Sequence, residues 1–133
     1  MKISIVRRIA IISFFVLFVS LMFCCKKSNN TRRIAQKWQV HKYIMNLGDS
    51  THLFDSLFMN YQLDFNKNGS YTEIYYTPAN QKMQISGTWL FEDKYETLQL
   101  KDTVIRKFRI SQLTKDRLDL LDSMNYELEM IPF

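Results

Sequence analysis

From Trp38 to the C-terminal residue, apolar and polar positions alternate with a period of two. In Met59-Asn60-Tyr61-Gln62-Leu63-Asp64-Phe65 every odd position is apolar and every even one polar, which is the pattern of a half-buried strand. Asn66-Lys67-Asn68-Gly69 follows as a hairpin turn. The next strand spans 70–76 and stops at Thr77-Pro78-Ala79-Asn80. In the one after it, Met83, Ile85, Gly87, Trp89 and Phe91 share one face, opposite Lys82, Gln84, Ser86 and Thr88. Strands are also predicted around Leu98 and Leu100, from about Thr103 to Leu113 with Phe108 and Ile110 inward, around Leu118 and Leu120, and through Tyr126, Leu128 and Met130. With 38–45 as the first, the pattern predicts eight strands. Connections are short except for 46–57, a longer loop with a helical turn. A short helix is predicted over 31–37, with Thr31 as its N-cap. Short strands with tight turns predict an all-β fold, an eight-stranded antiparallel up-and-down barrel, with a two-sheet sandwich as its rival.

The first 33 residues follow another rule. Lys2, Arg7 and Arg8 precede an apolar run of 15 residues, Ile9 to Phe23, broken only by Ser13 and Ser20. The run ends at Cys24-Cys25 and gives way to Lys26-Lys27-Ser28-Asn29-Asn30. It suits a signal-peptide core and is short for a spanning helix, which needs roughly 20 residues. The expected organisation is a signal peptide over 1–24, a flexible tether over 25–33 and a barrel domain over 34–133.

The stretch Leu21-Met22-Phe23-Cys24-Cys25 resembles the bacterial lipobox. That resemblance implies a diacylglycerol on the cysteine thiol, cleavage just before it and acylation of the new N-terminus. A small residue belongs before the modified cysteine. Cys24 before Cys25 satisfies this and Phe23 before Cys24 does not, whereas Leu21, three before Cys24, favours the other choice. Cys25 is the expected lipidation site and Cys24 the alternative. An uncleaved signal anchor with unmodified cysteines is the competing reading. The anchor makes the membrane a partner, because two or more acyl chains hold a protein stably at about 0.8 kcal/mol per buried CH₂. Lys26, and the lack of acidic residues after the cysteines, point to the outer membrane, facing the periplasm.

Charge supports this division. All 13 acidic residues and 11 of the 18 basic ones lie from Ile34 onward, a balance of −2, although the whole chain carries +5. A nucleic-acid partner is therefore not expected, since the folded part has no basic excess to neutralise phosphates. With no cysteine after Cys25, the domain has no disulfide, thiolate metal site or thiol nucleophile.

Four stretches carry a family resemblance: Gln36-Lys37-Trp38-Gln39-Val40; residues 63–71, Leu63-Asp64-Phe65-Asn66-Lys67-Asn68-Gly69-Ser70-Tyr71; Ser86-Gly87-Thr88-Trp89-Leu90-Phe91; and residues 108–118, from Phe108-Arg109-Ile110 to Asp116-Arg117-Leu118. Together they resemble the lipocalin-like domains of Bacteroidota lipoproteins. Gly87-Thr88-Trp89 supplies on the fourth strand the Gly-x-Trp triplet that lipocalins carry on the first, where Gln36 stands here. The resemblance implies a fold and no agreed activity.

No enzyme, metal or cofactor is expected. His41 falls on the polar face of strand one, and His52 sits in the loop between Asp49 and Asp55, a set too small for a metal site. The sequence has no Gly-x-Ser-x-Gly, no phosphate-cradling loop and only three glycines. The candidate site is instead the barrel interior, with Tyr61, Tyr71, Trp89, Arg106, Phe108 and Tyr126 as ligand-binding candidates. Small eight-stranded barrels either fill with side chains or hold one small ligand. Aromatic and methionine residues suit both outcomes. The phase of strand six turns Arg106 inward, where it needs Glu73 or a ligand carboxylate as partner, unless a β-bulge near Arg106-Lys107 turns it to solvent. The expected function is to bind a small hydrophobic or amphipathic ligand in the cell envelope. The alternative is a filled barrel acting as a protein- or glycan-interaction or structural module, or as an inhibitor of an envelope enzyme, with an envelope protein as partner.

Overall fold

The computed structural model describes residues 29–46 and 48–133, together with Ser13 and Val16. Cys24, Cys25 and the rest of the expected signal peptide lie outside the described residues. The chain divides into two compact units, Met1–Asn30 and Thr31–Phe133, and among the described residues the strands all lie in the second.

Those strands are β1 (Lys37–Met45), β2 (Gly48–Asp49), β3 (Met59–Phe65), β4 (Ser70–Tyr76), β5 (Lys82–Glu92), β6 (Thr97–Lys101), β7 (Ile105–Leu113), β8 (Leu118–Leu121) and β9 (Glu127–Pro132), with a helix, α1 (Thr51–Leu57), between β2 and β3. All join one antiparallel sheet in chain order, and β1 pairs with β9 to close it. The eight longer strands form the expected barrel; β2 is a two-residue extension on β1. The interval 46–57 is more ordered than a loop. Asp49 accepts the Thr51 N–H, and Thr51 Oγ1 accepts the Tyr43 N–H at 3.0 Å, fixing the start of α1 against β1.

The predicted helix over 31–37 is displaced: residues 29–34 are helical, and β1 begins at Lys37. Thr31 lies within the helical stretch and is not its N-cap; its carbonyl accepts the Ala35 N–H. Trp38 explains the early stop, since its indole N–H takes the Ile34 carbonyl at 2.9 Å. Ile34, wholly buried, is driven into the barrel base. At the same end the 66–69 turn places Gly69 at φ +89°, a conformation that favours glycine.

The interior is packed from this end. Trp38, Phe65, Leu98, Leu118 and Met130 are each at most 1% exposed and form one core with Ile34. Trp89 donates its indole N–H to the Asn66 carbonyl at 3.0 Å, tying the core to the hairpin turn.

The wall has two seams where neighbouring strands part. β1 meets β3 only through Lys37, Trp38 and Gln39. Beyond them β1 stays with β9, and α1 packs against both β1 and β3. β6 ends at Lys101, opposite Thr88, so 82–87 of β5 has β4 on one side and no β6 on the other.

Candidate functional site

Above the packed base the barrel is hollow. A cavity of about 320 Å³ rises from a floor of Leu63, Leu100 and Leu120, which also belong to the core. Filled core and ligand cavity, alternatives at the level of sequence, are here two halves of one interior.

The upper wall is a chain of aromatic rings. Tyr126 meets Tyr43 at 6.4 Å between centroids, Tyr43 meets Phe54 at 5.0 Å, and Phe54 meets Phe58 at 5.1 Å and Tyr61 at 5.3 Å. Phe58 continues to Tyr75 at 5.2 Å. Edge-to-face contacts predominate, which suits the ring quadrupoles. Phe54 lies on α1 and Phe58 is its C-cap residue, whose N–H donates to the Phe54 carbonyl, so one short helix and its cap bring two rings to the mouth.

Of the six candidate residues, Tyr61, Arg106, Phe108 and Tyr126 line the cavity. Tyr71 and Trp89 do not, because they belong to the packed base. Tyr71 is 1% exposed and reaches the cavity's polar wall only through its hydroxyl, and Trp89 lies in the core beside Phe65. Alternation reveals which face a residue occupies and not how far along the barrel axis it lies.

The sequence pattern did not reveal Tyr43, Phe54 or Phe58 as lining residues. In β1 the register slips between Val40 and Lys42, so the bulge at His41 advances the phase by one and turns Tyr43 inward where strict alternation would place Lys42. For Phe54 and Phe58, the four-residue spacing across α1 and its cap was the available signal.

Arg106 points inward as the strand phase requires. The bulge weighed against this lies elsewhere on β7, between Ile110 and Gln112. Arg106 Nη2 stands 2.6 Å from Glu73 Oε2 and 3.2 Å from Asp102 Oδ2, and donates to the Tyr71 hydroxyl at 3.1 Å. Tyr61 O–H donates to Glu73 Oε1 at 2.6 Å, and Tyr71 O–H to Asp102 Oδ2 at 2.8 Å. Glu73 is only 4% exposed, so this pairing is what makes its burial tolerable. Arg106 also lines an outer cleft with Ser86, Gly87 and Thr103, at the place where β5 has lost β6. The cluster therefore fills the second seam with charge.

The cluster sets its own titration. Burial, then the charge of Glu73, hold the Tyr61 hydroxyl well above its ordinary pKa. Burial and the hydrogen bond to Asp102 push Tyr71 up to about 12. Asp102, accepting the Val104 N–H and the Tyr71 hydroxyl, is held down to about 2. Burial draws Arg106 down, but hydrogen bonds and charge from Glu73 outweigh it and raise the guanidinium. Both tyrosines are thus neutral donors at neutral pH, and Arg106 is a fixed cation.

Among the described residues no group of three or more His, Cys, Asp or Glu converges as a metal would require. His41 is exposed on β1 and His52 exposed on α1.

No protein-family model matches the sequence, and no curated protein matches it. Solved structures do share the fold. A lipocalin-like protein from Bacteroides uniformis ATCC 8492 aligns at a TM-score of 0.61 and 14% identity, over 76% of this chain and 99% of that one. An uncharacterized protein from Bacteroides eggerthii DSM 20697 aligns at 0.58 and 13% identity, over 75% and 99%. A further Bacteroides uniformis protein, solved by NMR, aligns at 0.56 and 14% identity, over 77% and 91%. The barrel is lipocalin-like.

Proposed function

We propose that this chain is a lipid-anchored lipoprotein of the bacterial cell envelope whose lipocalin-like barrel binds a small apolar or amphipathic molecule. The observation that carries the reading is the cavity of about 320 Å³, walled by aromatic rings above an aliphatic floor. Binding sites for small molecules are concave, mostly apolar and equipped with a few converging polar groups. Here those groups are the Tyr61 hydroxyl, Glu73 and Arg106. Burying an apolar ligand would yield roughly 25 cal/mol for each Å² removed from water. The anchor places such a binder where amphiphiles concentrate. The proposed anchor is Cys25, with Cys24 as the alternative, and the proposed location is the periplasmic face of the outer membrane. No catalytic role is proposed.

The test is native mass spectrometry and lipid extraction of the full chain carrying Cys24→Ala and Cys25→Ala, which removes the acyl chains. A co-purifying small molecule, or saturable enhancement of a neutral apolar dye such as Nile red, is expected. Leu128→Trp, which places an indole in the cavity, abolishes the dye signal. If the unfilled chain yields neither molecule nor dye signal, or if Leu128→Trp leaves the signal intact, the binding reading is wrong.

A further inference from the structure

We propose that the cavity selects a cationic apolar molecule, an alkyl- or arylammonium, over an anionic one of the same body. The inference rests on the reading of the cavity as a ligand site and adds the charge of what enters it.

Three side chains of the lining carry charge: Glu73, Arg106 and Asp122. Arg106 is the one cation and its charge is already taken. Glu73 and Asp102 both pair with it, so the cluster holds two carboxylates for one guanidinium. An incoming carboxylate would face that excess at close range and would have to displace a buried pair. The buried Nε of Arg106 has no partner. It is a single N–H on a guanidinium that two carboxylates already neutralise, which suits a neutral oxygen such as a ligand hydroxyl and not a second anion.

Asp122 makes the mouth acidic as well. Its Oδ1 accepts the N–H groups of Met124 and Tyr126 at 2.7 and 3.0 Å, which holds the β8–β9 turn. Its other oxygen accepts no bond from the described residues. Asp122 lies close enough to Tyr43 that its charge, after burial, raises the phenol above its ordinary pKa. Tyr126 and Phe54, each in ring contact with Tyr43, line the same cavity. Aromatic faces around a carboxylate attract organic ammonium groups through the ring quadrupole, and more strongly where water is excluded. An ammonium seated at Asp122 would leave its apolar body to the rings and the leucine floor.

The experiment uses the full chain with Cys24→Ala and Cys25→Ala and three octyl probes: octyltrimethylammonium, 1-octanol and octanoate. Affinities are read by calorimetry and by displacement of Nile red. The ammonium is expected to bind about tenfold tighter than the alcohol, and octanoate weakest. Asp122→Asn keeps a side-chain oxygen for the turn. It should erase most of the ammonium's advantage and leave the alcohol's affinity unchanged, which also reports that the variant is folded. Octanoate binding as tightly as the ammonium, or the alcohol matching it, overturns the charge preference while leaving the cavity reading intact. An unchanged ammonium advantage in Asp122→Asn overturns the assigned seat. If no probe and no dye binds, the cavity reading fails and this inference falls with it.

Discussion

Arg106 and Glu73 meet across the barrel: Nη2 stands 2.6 Å from Oε2 although β5 and β6 lie between their strands. The bond therefore ties together parts of the wall that the ladder does not join directly. Glu73 is 4% exposed, while the Arg106 side chain is 31% exposed. Removing the cation should hurt more than removing the pair. Arg106→Met leaves a buried carboxylate with the Tyr61 hydroxyl as its remaining donor and should cost about 2–3 kcal/mol. The double change Arg106→Met with Glu73→Met should cost about half as much. Urea midpoints of the wild type, both single variants and the double variant decide it; additive losses would show that the pair is not coupled.

Titration of the same cluster bounds the stable pH range. Asp102 falls from 3.8 to about 2, through the Val104 N–H first and the Tyr71 hydroxyl second. The folded state thus holds this proton less tightly than the unfolded chain. The Asp102 contribution is complete above pH 4 and is lost as pH falls towards 2. Tyr71 rises from 10.0 to about 12, by burial first. Its contribution is complete below pH 10 and is lost as pH rises towards 12. Denaturant midpoints across both windows should show a shallower acid limb in Asp102→Asn and a shallower alkaline limb in Tyr71→Phe.

Gly87 is needed for space. A Cβ there would collide with the Lys101 carbonyl oxygen and stand 2.9 Å from Tyr71 Cε1. Backbone is what it meets, so relief requires β5 and β6 to part. Gly87→Ala should lower stability by about 2–3 kcal/mol, read as a drop in thermal midpoint. A neutral result would mean that the second seam is wider than drawn.

The anchor makes its own prediction. In cells fed labelled palmitate, Cys25→Ala should lose the label and Cys24→Ala should keep it. The reverse result moves the lipid to Cys24, and label surviving both single changes rules out one unique site.

The fold was legible because alternation is a strong local signal. It put Met83, Ile85, Trp89 and Phe91 on one face of β5 and Arg106 in phase with Phe108 on β7, and their burial follows that phase. What alternation lacks is depth and interruption. Depth separates Tyr61, at the cavity, from Tyr71, in the base. Interruption explains Tyr43, whose inward turn depends on one unpaired residue, His41, with no signature of its own. Asp122 sat in a turn where an aspartate is ordinary, and only the fold shows that the turn borders a cavity. Glu73 was legible as a partner for Arg106; Asp102, contributed by the β6–β7 turn, was not.

Closure by β1 and β9 has a consequence for the order of assembly. Trp38 pairs with Pro132, and the Phe133 N–H reaches the Lys37 carbonyl, so the strand laid down first is sealed by the one laid down last. That pairing closes a loop spanning nearly the whole domain, the costliest closure in the sheet. Tyr126 and Leu128, at the sealing strand, line the cavity, so the container is complete only where the first and last strands meet.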